Sequence, residues 1–197
     1  MNLALFDFDG TITDADIYSK FIRYSATKTR FVFGGLAVLP HYCLYRLGLY
    51  PAYKMRPRVT RNAFKGRMAN DVKTIGLHFA ETVIPAFVRD NMLAKIHWHL
   101  AQGDKVIVVS ASLDLYLKPW CDSLGIELLC SELEVINGRY SGQYQQGDCS
   151  RETKAKRIKD YVMLEQFAYI YAYGDTPEDL AMLALADEQY MQGVRIK

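Results

Sequence analysis

The chain has 197 residues, half of them hydrophobic and 23% charged, with a net charge of +2. This excludes a disordered, collagen-like or low-complexity chain, and a domain of this size buries roughly 70% of the surface its unfolded chain exposes, so it needs no staples. The four cysteines, at 43, 121, 130 and 149, form no CxxC pair and no disulfide-scaffold spacing. With no signal-peptide pattern at the N-terminus, they are expected to be reduced, buried small hydrophobes in a cytoplasmic protein.

Residues 2–8 are apolar and then alternate with aspartate, which predicts a buried strand ending in acids. Asp14 is the expected N-cap of a helix carrying Ile17, Phe21 and Tyr24 on one face. Residues 31–39 are continuously apolar or glycine until Pro40, too short a run to span a bilayer. It fits either a buried helix or an interfacial one. A helix is predicted over 80–101, then a buried strand at 105–110 (KVIVVS) and a helix through Leu113, Leu117, Trp120 and Leu124, closed by Gly125. A third strand follows at 126–130. Asn137-Gly138, between β-prone runs in 133–144, predicts a hairpin. A helix over 152–164, a buried strand at 169–174 (YIYAYG), a helix over 177–187 and an edge strand at the final Val-Arg-Ile complete the chain.

Strands alternating with helices predict an α/β fold with a mainly parallel sheet. About ninety residues separate the first two strands, far more than a simple crossover needs, so a subdomain is expected there. It holds a strong charge asymmetry. Residues 20–73 carry twelve lysines and arginines against one acid, Asp71, a net +11, so the rest of the chain is −9. Such a field concentrates anionic ligands: a phosphorylated substrate, an acidic membrane surface or a nucleic acid.

Open parallel sheets bind ligands at the carboxyl ends of their strands. There the sequence places Asp7, Asp9, Gly10 and Thr11, then Ser110 and Ser112, then Asp175, Thr176, Glu178 and Asp179, with Lys154 opening the helix after the hairpin. In a regular strand Asp7 and Asp9 would share one face. Clustered carboxylates suit a hard cation such as Mg²⁺, and a lysine, a serine hydroxyl and free N–H groups suit phosphoryl oxygens. A DxDxT alone reads more readily as an N-capped turn than as a site. Ser112 is read as a helix N-cap, Trp98 and Trp120 as core, and His97 and His99 as surface or packing residues rather than ligands.

DFDGT at 7–11, VVSAS at 108–112, Lys154 in DCSRETK and GDTPED at 174–179 resemble, in order and strand position, the four motifs of the haloacid dehalogenase superfamily. The helical insertion after the first motif and the LEVINGRYSGQY hairpin resemble its phosphoserine-phosphatase-like branch. The resemblance implies a Rossmann-like three-layer core from 1–13 and 91–197, with a helical cap over 14–90. It implies a Mg²⁺-dependent phosphatase in which Asp7 is the nucleophile and Asp9 the general acid and base. The Asp7 and Asp175 carboxylates and the Asp9 carbonyl would hold the metal, supported by Asp179. Gly10, Ser110, Ala111 and Lys154 would bind the phosphoryl group. In the cap, Asp16 stands where phosphoserine phosphatases have a substrate-binding acid, and Arg61 near where they have an arginine.

VVSAS departs from the serine and two glycines usual in phosphoserine phosphatases. The branch also includes lipid-phosphate phosphatases such as phosphatidylglycerophosphatases, and a basic, amphipathic cap has a membrane-surface composition. The expected substrate is thus a phosphorylated small molecule or a lipid phosphate, the latter with peripheral membrane contact. Phosphotransfer to a hydroxyl acceptor and a non-catalytic anion-binding module are the alternatives. No nucleic-acid motif is present.

Overall fold

The apolar residues before Asp7 form β1 (Leu3–Phe6), with all four side chains buried. In the computed structural model, the backbone is described for residues 1–197 and the side chains for all but residues 28, 31–35, 37 and 52. After Phe6 the chain leaves extended geometry. Residues 8–12 turn, with Gly10 at φ 82°, and the Thr13 N–H donates to the Phe8 carbonyl at 3.0 Å. Asp7 and Asp9 therefore do not sit on one strand face as expected; the turn, not strand alternation, aims them.

The Asp14 N–H donates to the Phe87 carbonyl and the Arg89 N–H to the Ile12 carbonyl, both at 2.9 Å, so the two ends of the intervening segment lie side by side. Between them run α1 (Ile17–Ser25), α2 (Lys28–Arg46), α3 (Ala52–Phe64) and α4 (Ala69–Thr82). Asp16, not Asp14, caps α1: its carboxylate accepts from the Ser19 N–H at 2.9 Å. The helix expected over 80–101 is two elements. Pro85 lies in a 3-10 turn at Ile84–Phe87, and α5 (Asp90–Ala101) begins anew beyond it. The apolar run at 31–39 falls in α2, where Leu36 and Leu39 are exposed and Val38 is half-buried, the other side chains of the run lying outside those described. Among the described residues, no helix is long and apolar enough to cross a membrane.

The chain then forms β2 (Lys105–Leu113), α6 (Asp114–Leu124), β3 (Glu127–Ser131), the hairpin β4 (Leu133–Ile136) and β5 (Arg139–Tyr144), α7 (Glu152–Tyr161) and β6 (Ile170–Gly174). Asn137 and Gly138 make the hairpin turn with positive φ of 50° and 75°. The expected helix over 177–187 is shorter, a 3-10 turn followed by α8 (Leu180–Leu183). After it come β7 (Glu188–Met191), which the sequence pattern did not reveal, and the edge strand β8 (Val194–Arg195).

The main sheet has the order β3-β2-β1-β6-β7-β8, parallel except for β8. Alternate residues of β1 and β2 enter two cores. Phe6, Val106 and Val108 face one, shared with Phe21, Phe79 and Tyr116 of the helices. Leu3, Leu5, Ile107 and Val109 face the other, under Ile158 of α7 and Met182 of α8. Each such side chain contributes roughly 1.5–3 kcal/mol by leaving water, and burial on both faces makes this a three-layer α/β fold. His99 is a packing residue: buried, with its ring nitrogens 2.9 Å from Asp104 and from the Tyr173 hydroxyl. Trp120 is core, but Trp98 is 46% exposed. Cys121, Cys130 and Cys149 are buried, whereas Cys43 is exposed.

Candidate active site

β1, β2 and β6 are adjacent, so their carboxyl ends bring together residues far apart in sequence. Asp7 follows β1, held by its N–H donating to the Tyr173 carbonyl at 2.9 Å. Its carboxylate is buried and accepts from the Lys154 ammonium at 2.5 Å. The same ammonium donates to Asp179 at 2.6 Å, and the other Asp179 oxygen accepts from the Asp175 and Thr176 N–H groups, both at 3.1 Å. Thr11 donates its hydroxyl to Asp175 at 3.4 Å. Oxygens of Asp7, Asp175 and Asp179 all lie within 4.8 Å of one another. Three carboxylates thus face one ammonium, a donor set of hard oxygens with surplus negative charge that fits a divalent cation.

Burial pushes the Asp7 pKa up to about 8, against the pull of Lys154. It pushes Asp175 up to about 6, with the neighbouring Asp179 adding to the rise. Burial works against the Asp179 carboxylate too, but Lys154 and the two amides outweigh it and hold its pKa below the ordinary range. Burial likewise opposes the Lys154 ammonium, yet Asp7 and Asp179 more than offset it and keep it charged.

Asp9 looks the other way, toward α1. One of its oxygens accepts from the Ile17 N–H at 2.6 Å and the Tyr18 N–H at 3.3 Å; the other accepts from the Ser112 hydroxyl. Burial raises its pKa to about 6, with the Ser112 bond and then these amides opposing the rise. The buried Ser110 hydroxyl accepts from the Ser112 N–H at 3.1 Å. Asp7, Asp9, Ser110, Ala111, Ser112, Lys154, Asp175 and Asp179 line one cavity of about 1260 Å³, most of whose remaining walls come from α1, α2 and α3, with Thr176 and Glu178 beside Asp175. Gly10 stands behind Asp175, so close that a Cβ there would come 2.2 Å from an Asp175 carboxylate oxygen.

The sequence profile of the haloacid dehalogenase-like hydrolases matches residues 4–184. The chain belongs to this family. Protein CicA of Caulobacter vibrioides is 32% identical over 193 residues, which cover 95% of this chain and 84% of CicA. A Bordetella pertussis Tohama I protein of unknown function shares the fold with a TM-score of 0.80, at 20% identity over 96% of this chain and 89% of that one. A substrate-bound phosphoserine phosphatase does so with a TM-score of 0.66, at 16% identity over 95% and 84% of the two chains.

This haloacid dehalogenase-like hydrolase departs from its sequence pattern at three residues around the site. Ser112 is not the N-cap of α6; β2 continues to Leu113, which precedes that helix, and the Ser112 hydroxyl is left to bind Asp9. Arg61 is exposed and packs along Gly142 of the hairpin, outside the cavity lining. The α3 arginine that does line the cavity is Arg56. It makes a bidentate pair with Asp148 at 2.9 and 3.1 Å and reaches Glu178 at 2.8 Å. Nothing in its spacing singled it out among twelve basic residues. Asp16 lies at the cavity edge, engaged as the α1 cap.

Proposed function

We propose that the protein is a Mg²⁺-dependent phosphatase that hydrolyses phosphomonoesters through an aspartyl-phosphate on Asp7. The observation that carries this reading is the buried group Asp7–Lys154–Asp179 with Asp175 beside it, at the floor of a cavity. A carboxylate pushed up to about 8 is a poor nucleophile at neutral pH unless a further cation holds it ionised. The Asp7 and Asp175 carboxylates and the Asp9 carbonyl would hold Mg²⁺, with Asp179 supporting the site. Bound there, the ion keeps Asp7 ionised and neutralises charge on the transferring group.

An Asp7 oxygen attacks phosphorus as the ester P–O bond breaks. Asp9 gives its proton to the departing alkoxide. Asp9 then takes a proton from water, whose oxygen attacks the phosphoryl group and releases phosphate and the Asp7 carboxylate. A group poised near 6 suits this alternation. Lys154, the Ser110 hydroxyl and the Gly10 and Ala111 N–H groups bind the phosphoryl oxygens. Residues 14–90 act as a cap that keeps bulk water from the reacting phosphorus. The phosphatase reading also draws support from the fold shared with phosphoserine phosphatase.

A panel of phosphorylated metabolites and lipids, scored for free phosphate, tests the proposal. Release with Mg²⁺, loss in EDTA and recovery on adding Mg²⁺ back are expected. Release from no phosphomonoester, or release that EDTA leaves untouched, would overturn it. Gly10→Ala should lower kcat at least about 100-fold, because a Cβ displaces the Asp175 carboxylate and a 1 Å shift at a reacting centre costs that much. Steady-state kinetics at saturating Mg²⁺ measures the loss.

A further inference from the structure

Ser112 is buried in the cavity lining, next to Ala111 and one residue removed from Ser110. It stands there because β2 leaves its ladder. Ser110 pairs with Cys130 of β3, and the next pair is Leu113 with Ser131. Ala111 and Ser112 are therefore extra residues on β2, a bulge at the carboxyl end of a central strand. Bulges beside active sites re-aim side chains. Here the Ser112 N–H donates to the Ser110 hydroxyl at 3.1 Å, and the Ser112 hydroxyl donates to Asp9.

Asp9 is thereby held from two sides. The Ile17 and Tyr18 amides, at 2.6 and 3.3 Å, bind one carboxylate oxygen from the first turn of α1. Ser112 binds the other, and among the described residues it is the one side chain that hydrogen-bonds Asp9. The amides belong to a helix outside the sheet, whereas Ser112 belongs to the strand beside β1, which leads into Asp7. Ser112 thus fixes Asp9 relative to the sheet that carries the reacting groups. Packing alone does not call for this hydroxyl, because a buried hydroxyl is a cost unless it has a partner.

We infer that Ser112 is a positioning residue for proton transfer by Asp9, holding its carboxyl group toward the departing ester oxygen. This rests on the phosphatase reading and adds to it a residue outside the phosphate- and metal-binding sets. As the ester P–O bond breaks, its electron pair stays on the ester oxygen. The Asp9 proton passes to that oxygen, and Asp9 is left ionised. A hydroxyl binds a carboxylate more strongly than a neutral carboxyl. The Ser112 bond therefore strengthens as the proton leaves, which favours the transition state over the ground state. The benefit grows with the basicity of the departing oxygen, since a weakly basic leaving group departs without a proton.

The test compares two esters of similar shape at saturating Mg²⁺. Benzyl phosphate must expel an alkoxide, whereas p-nitrophenyl phosphate releases a nitrophenolate that needs no proton. The readout is kcat/KM, which covers the steps through loss of the alcohol. Ser112→Ala should lower it at least about tenfold on benzyl phosphate and less than about threefold on p-nitrophenyl phosphate, a share of the roughly 10²–10⁴-fold that a positioned acid supplies. Asp9→Asn should show the same selectivity with a larger loss. Ser112→Cys keeps the volume and weakens the donor, so it should lose in the same direction, and it serves if the alanine variant does not fold. An equal loss on both esters is what a purely structural serine would give, and it overturns the inference, as does no loss. If Asp9→Asn separates the esters and the Ser112 variants do not, the inference falls alone and the hydrolase reading stands. If Asp9→Asn does not separate them, or wild type hydrolyses no benzyl phosphate, there is no acid for Ser112 to hold and the inference is overturned. Wild type that hydrolyses neither ester removes the phosphatase reading and this inference together.

Discussion

Asp7→Asn is expected to abolish phosphate release and, at the same time, to stabilise the protein. The loss should be on the order of 10⁴-fold or more, since an amide cannot form the phosphoryl-enzyme. The stabilisation follows from proton linkage. Burial sets the native Asp7 pKa at about 8, against 3.8 for an ordinary aspartate. Folding therefore draws a proton onto Asp7 between about pH 4 and pH 8, and the native state loses stability as the pH rises through that window. Asparagine keeps the shape of the neutral form at every pH. The variant's advantage should be absent below about pH 4 and full above about pH 8. Lys154 keeps its 2.6 Å contact with Asp179, so the substitution does not strand the ammonium. For a chain of this length each kcal/mol moves Tm by roughly 2–4 °C, so even about 1.5 kcal/mol of this linkage, a fraction of what the full shift would give, raises Tm by about 3–6 °C, and a rise of at least that size is expected in EDTA at pH 8. Thermal melts of both proteins at pH 5 and pH 8, with and without Mg²⁺, measure it; added Mg²⁺ should narrow the gap by favouring the wild-type carboxylate. A variant that still releases phosphate, or that melts below wild type at pH 8, contradicts the placement of Asp7.

The same residues show how far the sequence reaches. KVIVVS and YIYAYG are continuous apolar runs, and both form central strands buried on two faces, as the run length and β-branched content require. Strand ends then predict which polar residues converge, because parallel neighbours present their carboxyl ends together; that is how Asp7, Ser110 and Asp175 were legible. What depends on backbone direction over one or two residues was not. Asp9 reaches the Ile17 and Tyr18 amides because residues 8–12 turn, and no periodicity encodes that turn. Ser112 reads as a cap until β2 is seen to run on to Leu113. Arg56 and Arg61 are five residues apart, about 140° around a helix, so only one of them can face the cavity, and a run of like charges does not say which. β7 was invisible because none of its side chains is fully buried and its residues carry no apolar alternation.

Lys154→Met should have the second largest effect, and on stability and catalysis together. The ammonium is buried and is the common partner of Asp7 and Asp179. Removing it leaves the buried Asp179 carboxylate without its cation, beside an Asp7 that burial keeps protonated to about pH 8. Breaking such a pair from one side costs about 3–5 kcal/mol, which lowers Tm by roughly 6–15 °C at neutral pH. Methionine fills much of the space of the lysine stem, so the cost is electrostatic rather than a cavity. That makes two dependences expected. In wild type, Lys154 holds the Asp179 pKa down, so its stabilising contribution is lost as the pH falls. In the variant Asp179 is no longer held down, so it adds a second loss of stability with rising pH to the one Asp7 already brings to wild type, and stability should recover more steeply than in wild type as the pH falls from about 8. At a fixed concentration Mg²⁺ should stabilise the variant more than wild type, by about 2.7 kcal/mol at a hundred times the variant's Kd, because it then supplies the only cation in the cluster and binds it more tightly. Activity should stay about 10²–10³-fold below wild type even at saturating Mg²⁺, as for loss of a donor to the oxygens of a reacting group. Melting curves across that pH range, paired with kcat at saturating Mg²⁺, check both. A variant as stable as wild type in EDTA at pH 8 would show that Lys154 does not balance Asp7 and Asp179, and with it the electrostatic account of the nucleophile would fall.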